Sequence, residues 1–294
     1  RPRELLGYRQ VRQDGVLRRM KTEIIIGDCL DVLKGLPDES VNCCVTSPPY
    51  FNLRDYGIDG QIGLEKDPAA YIETLVRVFG EVQRVLRRDG TLWLNLGDSY
   101  AEKDLLGIPW RVAFALQADG WYLRSDIVWS KPNAMPESVK DRPTRSHEFC
   151  FLLSRSEKYF YDSEAVREKS VSTHPSGNGF ARDAQISKGG RGQDEQWQPT
   201  ELRNMRDVVT INNNSYPEAH FATMPTELAE ICIKAGSREG DLVLDPFGGA
   251  GTTGLCADRL QRNSLLIELN PEYAALAERR IKGDAPLFAE VAVK

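Results

Sequence analysis

The 294-residue sequence has only three histidines and no CxxC spacing, so the usual ligand sets of a zinc site are missing and no metal is expected. No apolar run approaches the ~18–20 residues of a membrane span, and the amino-terminal stretch is basic and polar, without the apolar centre of a secretory signal. A cytoplasmic protein is the expectation, and the six cysteines, two of them adjacent at Cys43-Cys44 in an apolar run, read as reduced and mostly buried thiols. No internal repeat is present. An overall basic excess is also missing, since the net charge is −5.

The distribution of charge is more informative than its sum. Residues 1–21 hold Arg1, Arg3, Arg9, Arg12, Arg18, Arg19 and Lys21 against Glu4 and Asp14, and a second basic set comprises Arg124, Lys131, Lys140, Arg142 and Arg145. Phosphate binding needs a local positive face rather than a basic average. On charge alone, an ordinary solvated surface explains both sets equally well.

The length suits one large domain or a domain with a sizeable insertion, and 41% hydrophobic residues are enough for a core. Strand-like runs at 23–26, 41–45, 91–96, 121–130, 148–153, 242–244 and 264–267 alternate with helical patterns at 29–33, 71–88, 109–119, 226–235, 252–259 and 271–281. The longest helix places Tyr71, Leu75, Val78, Phe79, Val82, Val85 and Leu86 on one face, and Asp89-Gly90 then reads as a turn. Strands separated by helices predict a mostly parallel sheet covered on both faces. Residues 164–215 break the rhythm, being rich in Gly, Ser, Asn, Gln and charge without a sustained period. A loop that long within a compact domain is either functional or disordered.

Two motifs carry the chemistry. Asp245-Pro246-Phe247-Gly248-Gly249-Ala250-Gly251-Thr252-Thr253 follows the apolar run 242–244 and opens a helical pattern. Its small residues suit a sharp turn with close ligand approach, and hydroxyls and free N–H groups at the helix start can bind a carboxylate. Glu268, after the next strand, is suited to accept hydrogen bonds from ribose hydroxyls. The glycine spacing is not GxGxxG, which argues against a nicotinamide site, and a plain strand-to-helix turn remains open for this loop alone. Thr46-Ser47-Pro48-Pro49-Tyr50 ends a strand with a hydroxyl, a stiff turn whose carbonyls are free to accept, and a ring. Ser47 and the Pro48 carbonyl can accept both hydrogens of an exocyclic amino group, while Tyr50 or Phe51 stacks on the base. A proline-rich loop capping a strand is the alternative for this motif in isolation.

Together these residues resemble the amino-group DNA methyltransferases that use S-adenosylmethionine, from about residue 22 to residue 283. The family signature (Asp/Asn/Ser)-Pro-Pro-(Tyr/Phe) is met by Ser47–Tyr50, and its methionine-binding loop is similar to 245–253. The catalytic motif precedes the cofactor loop, as in the family's beta group. Gly27-Asp28-Cys29 is similar to the segment whose Asp contacts the adenine of the cofactor. His220 to Leu228 resembles the helix preceding the cofactor loop. Trp129-Ser130-Lys131-Pro132-Asn133 and Ser146-His147-Glu148 resemble landmarks near the base pocket.

The resemblance implies a seven-stranded, Rossmann-like α/β methyltransferase sheet with an inserted target-recognition region at 164–215. The catalytic and cofactor domain would then comprise 22–163 and 216–294, preceded by the basic segment 1–21. It implies Ser47, Pro48, Pro49 and Tyr50 as catalytic residues, and Asp28, Cys29, Thr226, Asp245, Phe247, Gly249, Gly251, Thr252, Thr253 and Glu268 as contacts to S-adenosyl-L-methionine. Lys131, Asn133, Arg142, Arg182, Lys188, Arg191, Arg203 and Arg206 are candidate contacts to double-stranded DNA, with a solvated surface role equally open for each. In this family Ser-Pro-Pro-Tyr is most often associated with cytosine N4 and Asp-Pro-Pro-Tyr with adenine N6, so N4-methylcytosine is expected, with adenine N6 the alternative. A homodimer, a cognate restriction endonuclease and a nucleoid-associated location of bacterial or phage type are compatible with the resemblance. A non-catalytic DNA-binding relative and an RNA substrate are the rival readings.

Overall fold

A computed structural model describes residues 20–170, 201–213, 224–284 and 290–294. The first elements follow the expected rhythm: β1 (Lys21–Ile26), α1 (Cys29–Lys34), β2 (Val41–Thr46), α2 (Pro68–Val85) and β3 (Leu86–Leu96). Asp67 caps α2 by accepting from the Ala70 N–H at 2.9 Å, and Pro68 fills the first turn, where its missing N–H has no cost. A short hairpin, β4 (Tyr100–Ala101) and β5 (Asp104–Leu105), leads into α3 (Ile108–Ala118), β6 (Tyr122–Ser130) and β7 (His147–Ser154). A second small ribbon pairs β8 (Glu168–Lys169) with β9 (Leu202–Arg203), and β10 (Val208–Thr210) follows. The chain continues as α4 (Thr226–Gly236), β11 (Leu242–Asp245), α5 (Thr252–Arg259), β12 (Asn263–Glu268), α6 (Pro271–Asp284) and β13 (Glu290–Val293).

The main sheet has the order β10-β6-β7-β3-β2-β11-β12-β1-β13. Pairing is parallel except at β7, which runs antiparallel to both β3 and β6. Seven strands were expected, and nine are present among the described residues. The inner seven are the expected ones; β10 and β13 are short strands added at the two edges. Val208–Thr210 is a three-residue run with a single buried side chain, too short for a period to show, yet it pairs in parallel with Val128–Ser130. The carboxyl end of the segment 164–215 therefore belongs to the sheet. Asp89-Gly90 also differs from expectation, lying within β3, where the register against β2 shifts between Val41 and Cys43.

Strand alternation divides the core into two layers. Leu92, Leu94, Leu242, Leu244, Leu265 and Ile267 face α1, α2 and α3. Cys43, Val45, Trp93 and Val243 face α4 and α5, and α6 packs over Ile24 and Leu266. All six cysteines are free and buried in these layers. No described helix is long and apolar enough to cross a membrane.

Candidate active site

In a parallel sheet the carboxyl ends of the strands share one rim, where loops can converge on a ligand. Here that rim carries Gly27-Asp28 after β1, Ser47 after β2, Asp245 at the end of β11 and Glu268 at the end of β12. They surround a cavity of about 190 Å³ whose apolar wall includes Phe247, Ile267, Ile58 and Ile62. A second cavity of about 130 Å³ adjoins it, lined by Pro48, Tyr50, Asn95, Trp129, Lys131 and Glu148 among others. Ser47, Tyr56 and Met224 border both.

The glycine loop is built around Asp245. Its Oδ1 accepts from Thr46 Oγ1 at 2.6 Å and the Phe247 N–H at 3.0 Å, and its Oδ2 accepts from Thr253 Oγ1 at 2.7 Å. Burial pushes this carboxyl above the usual range, and the three donors counter only part of the shift. Gly251 precedes α5 with φ +75, and a Cβ there would lie 2.7 Å from that of Ala277, so both the backbone and the space demand glycine. The first-turn N–H groups of α5 have no partner within the helix and open a site for negative charge. Glu268 accepts the Gly249 N–H at 2.7 Å on one oxygen and the Asn270 N–H at 2.8 Å on the other. Burial raises its pKa too. Each oxygen keeps a further lone pair for a ligand hydroxyl.

The smaller cavity is polar. Tyr50 OH donates to Glu148 Oε2 at 2.7 Å and lies 3.2 Å from Ser47 Oγ. Asn95 Nδ2 donates to Tyr50 OH at 2.8 Å and to the same Glu148 oxygen at 2.9 Å. Lys131 Nζ bonds Glu148 Oε1, and the ammonium sits 4.2 Å from the centre of the Trp129 ring. Because β7 runs against its neighbours, Glu148 near its amino end reaches the rim where the other strands end. Burial, reinforced by Glu148, holds the Tyr50 phenol well above its usual pKa, so it stays a donor. The ring lies against Gly97, where a Cβ would come within 2.5 Å of Cε2. Tyr71 OH donates to the Pro49 carbonyl at 2.8 Å and pins the proline turn from below.

Asp28, Cys29, Asp245, Phe247, Gly249, Thr252, Thr253 and Glu268 all line the larger cavity, whereas Gly251 and Thr226 do not. Gly251 lies beneath the loop, and Thr226 starts α4, where its carbonyl accepts from Cys256 Sγ. Asp28 caps α1 by accepting from the Leu30 and Asp31 N–H groups at 2.9 and 3.1 Å. Burial, reinforced by Asp28, pushes the Cys29 thiol to about 12. The Thr253 hydroxyl is spent on Asp245, and the Thr252 hydroxyl accepts from Arg280 at 2.9 Å. The Thr253 proton is therefore not available to a carboxylate, whereas the Thr252 O–H, which only accepts from Arg280, and the backbone amides remain as donors.

Among the basic candidates within the described residues, only Lys131 lines either cavity. Asn133 exchanges two hydrogen bonds with the backbone of Asn213. Arg142 stacks on Tyr100 and pairs with Glu137, while Arg203 and Arg206 share Glu168 Oε1 at 2.6 Å each. Arg182, Lys188, Arg191 and the cations of 1–19 lie outside the described residues. Sequence reasoning missed the loop carrying Tyr56, Ile58, Gln61 and Ile62, which lines the larger cavity, and it missed Asn95, Asn270 and Tyr273. The one available signal was Asn95, a polar residue one position before the end of an apolar strand.

A family model described as DNA methylase matches residues 41–279. The Type II methyltransferase M.Cfr9I of Citrobacter freundii is 50% identical over 287 residues, 88% of this chain and 87% of that protein. M.SmaI of Serratia marcescens, also a Type II methyltransferase, is 46% identical over 88% of this chain and 90% of its own. The putative DNA modification methylase TTHA0409 of Thermus thermophilus, solved in complex with S-adenosyl-L-methionine, is similar with a TM-score of 0.63. Its identity is 27%, with 93% and 99% of the two chains covered. The cytosine-N4-specific PvuII DNA methyltransferase shares the fold with a TM-score of 0.66 at 22% identity, over 94% and 98% of the chains.

Proposed function

The chain belongs to the DNA methylase family of N6 and N4 amino-group methyltransferases, and from that premise we propose that it methylates the exocyclic N4 of cytosine in duplex DNA. The methyl donor in this reading is S-adenosyl-L-methionine. The observation that carries it is the position of Ser47 on the wall common to both cavities, so that a cofactor in the larger and a base in the smaller face each other across its hydroxyl.

The larger cavity suits this cofactor by the chemistry of its donors. Glu268 retains acceptor capacity for ribose hydroxyls, the α5 amides suit a carboxylate, and Phe247 and Ile267 offer an apolar wall to an adenine or a methylene chain. When bound, the cofactor supplies an already electrophilic methyl group. The chain's own task is to prepare the nucleophile. Ser47 Oγ and the Pro48 carbonyl accept the two hydrogens of the amino group and favour a localised lone pair. These bonds strengthen as the nitrogen becomes positive, so they act on the transition state more than on the bound substrate. Holding nitrogen and methyl in line supplies much of the remaining acceleration. The target must leave the duplex to enter the smaller cavity, where the Tyr50 ring replaces lost stacking. A neutral Ser47, rather than a carboxylate at that position, favours cytosine. Pairing with a cognate endonuclease is part of the same reading.

Methyl transfer to mixed-sequence duplex DNA, followed by nucleoside digestion and mass spectrometry, tests the target. N4-methylcytosine is expected; N6-methyladenine overturns the base while keeping the mechanism. Ser47→Ala is expected to slow transfer by roughly 10²-fold or more and to leave cofactor affinity within a few-fold. An equal loss of cofactor affinity would move the base pocket elsewhere.

A further inference from the structure

The smaller cavity contains an ion pair that the chemistry above does not use. The side chains of Lys131 and Glu148 are each only 14% exposed. Taking two charges out of water is expensive, and an apolar pair of similar size would be at least as stable. The pair is also held in place with unusual care. Glu148 accepts from Lys131, Tyr50 and Asn95, and the Lys131 ammonium rests over the Trp129 ring. An ammonium has three N–H donors, of which Glu148 takes one. At least one of the others is available to whatever enters the cavity.

We propose that Lys131, oriented by Glu148 and Trp129, is the residue that selects cytosine by donating a hydrogen bond to its O2 carbonyl. The proposal rests on the assignment of the smaller cavity to the flipped base. Cytosine and adenine present the same pattern next to the amino group, an amine beside a ring nitrogen acceptor. They differ one atom further round the ring, where cytosine has a carbonyl and adenine a C–H. A donor fixed at that place rewards cytosine and is left unpaired by adenine, and an unpaired buried donor is costly.

The pairing with Glu148 also has a chemical reason. The amino nitrogen becomes cationic as the methyl arrives, and a lone ammonium beside the ring would oppose that charge. Glu148 cancels the field while leaving the N–H donor in place. Lys131 thereby acts as a specificity determinant and Glu148 as a positioning residue.

The experiment compares mixed-sequence duplexes made with deoxycytidine or with 2-thiodeoxycytidine triphosphate, since sulfur accepts hydrogen bonds more weakly than oxygen. The wild-type protein is expected to methylate the oxygen form about tenfold faster, as befits one hydrogen bond to a charged donor. In K131M/E148Q, which removes both charges together, transfer falls and the oxygen-to-sulfur ratio collapses towards one. Any effect of sulfur on the duplex itself is common to both proteins. Thermal melting and cofactor titration confirm that the double variant is folded, and K131Q, which keeps a neutral donor, is expected to give an intermediate ratio. If wild type and variants share one ratio, or if wild type shows no preference for oxygen, Lys131 does not read O2 and this inference falls alone. If wild type forms N6-methyladenine or no methylated nucleoside, the assignment of the target falls and this inference with it.

Discussion

Asp245 and Glu148 are both carboxylates on the same rim of the sheet, in adjoining cavities, yet they are satisfied in opposite ways. Asp245 is held only by neutral donors, the two threonine hydroxyls and the Phe247 amide, and burial pushes its pKa up. Glu148 is held by a cation as well as by Tyr50 and Asn95. The first carboxylate binds β2, β11 and the start of α5 into one unit, and its two threonine partners are buried with it. The second is surrounded by groups that themselves line the cavity. A carboxylate tied to neutral hydroxyls fixes backbone, whereas one tied to a cation and a phenol presents those groups to a guest.

Removing the cation's partner breaks the comparison most sharply. Glu148→Gln leaves Lys131 charged and unpaired, and loss of one partner of a buried pair costs about 3–5 kcal/mol. A clear fall in melting temperature together with strongly reduced methyl transfer is expected, and K131M/E148Q should recover most of the stability but not the activity. If the double variant melts as low as the single one, the penalty is not an unpaired charge.

Gly251→Ala tests the neutral side of the comparison through its frame. The αL backbone and the contact with Ala277 together are expected to cost about 2–4 kcal/mol, with cofactor affinity lost in parallel because the α5 amides move. A variant that binds cofactor normally would show that the loop tolerates the shift.

Asp245→Asn is a gentler change and carries a pH signature. The amide can keep Oδ1 as acceptor for Thr46 and Phe247 and donate to Thr253, whose proton then turns to the Val45 carbonyl at 3.2 Å. The folded-state pKa of Asp245 is raised, so the stability that its protonated form contributes is present below about pH 4 and is lost as pH rises through the folded value. The variant lacks this dependence. Its melting temperature is expected to gain on wild type as pH rises above about 4, and a constant gap would deny the burial penalty. The smallest effect is expected outside both cavities. Glu168→Gln, which releases Arg203 and Arg206, should change stability by about 1 kcal/mol or less, as urea unfolding would show.

The same contrast explains what could be read from the sequence. Asp245, its glycines, Thr252 and Thr253 are consecutive, so local turn chemistry and the apolar run before them announce the loop. Ser47 to Tyr50 is equally local. The Glu148 cluster draws on 47–50, 95, 129–131 and 148, and only pairing of β3, β6 and β7 brings these together. The resemblance marked Lys131 and Glu148 as landmarks without saying that they touch. Most strands and helices were legible within a few residues because each carries its own apolar period. The edge strands β10 and β13 were not, since three or four residues half in water have no period to show. The loop at 54–62 is polar and glycine-rich and reveals its place only through packing against Tyr273.

The sheet order also bears on how the chain is made. β1 and β2 are neighbours in sequence, but two strands from beyond residue 241 separate them in space. While the ribosome is still short of β11, β1 lacks both of its partner strands, β12 and β13, and β2 lacks its neighbour β11. Both strands then expose unpaired backbone, the state in which strands recruit wrong partners. Synthesis interrupted before β11 therefore yields a sticky fragment that lacks the glycine loop and Glu268 of the larger cavity rather than a weak enzyme, and chaperone dependence should be greatest at that point.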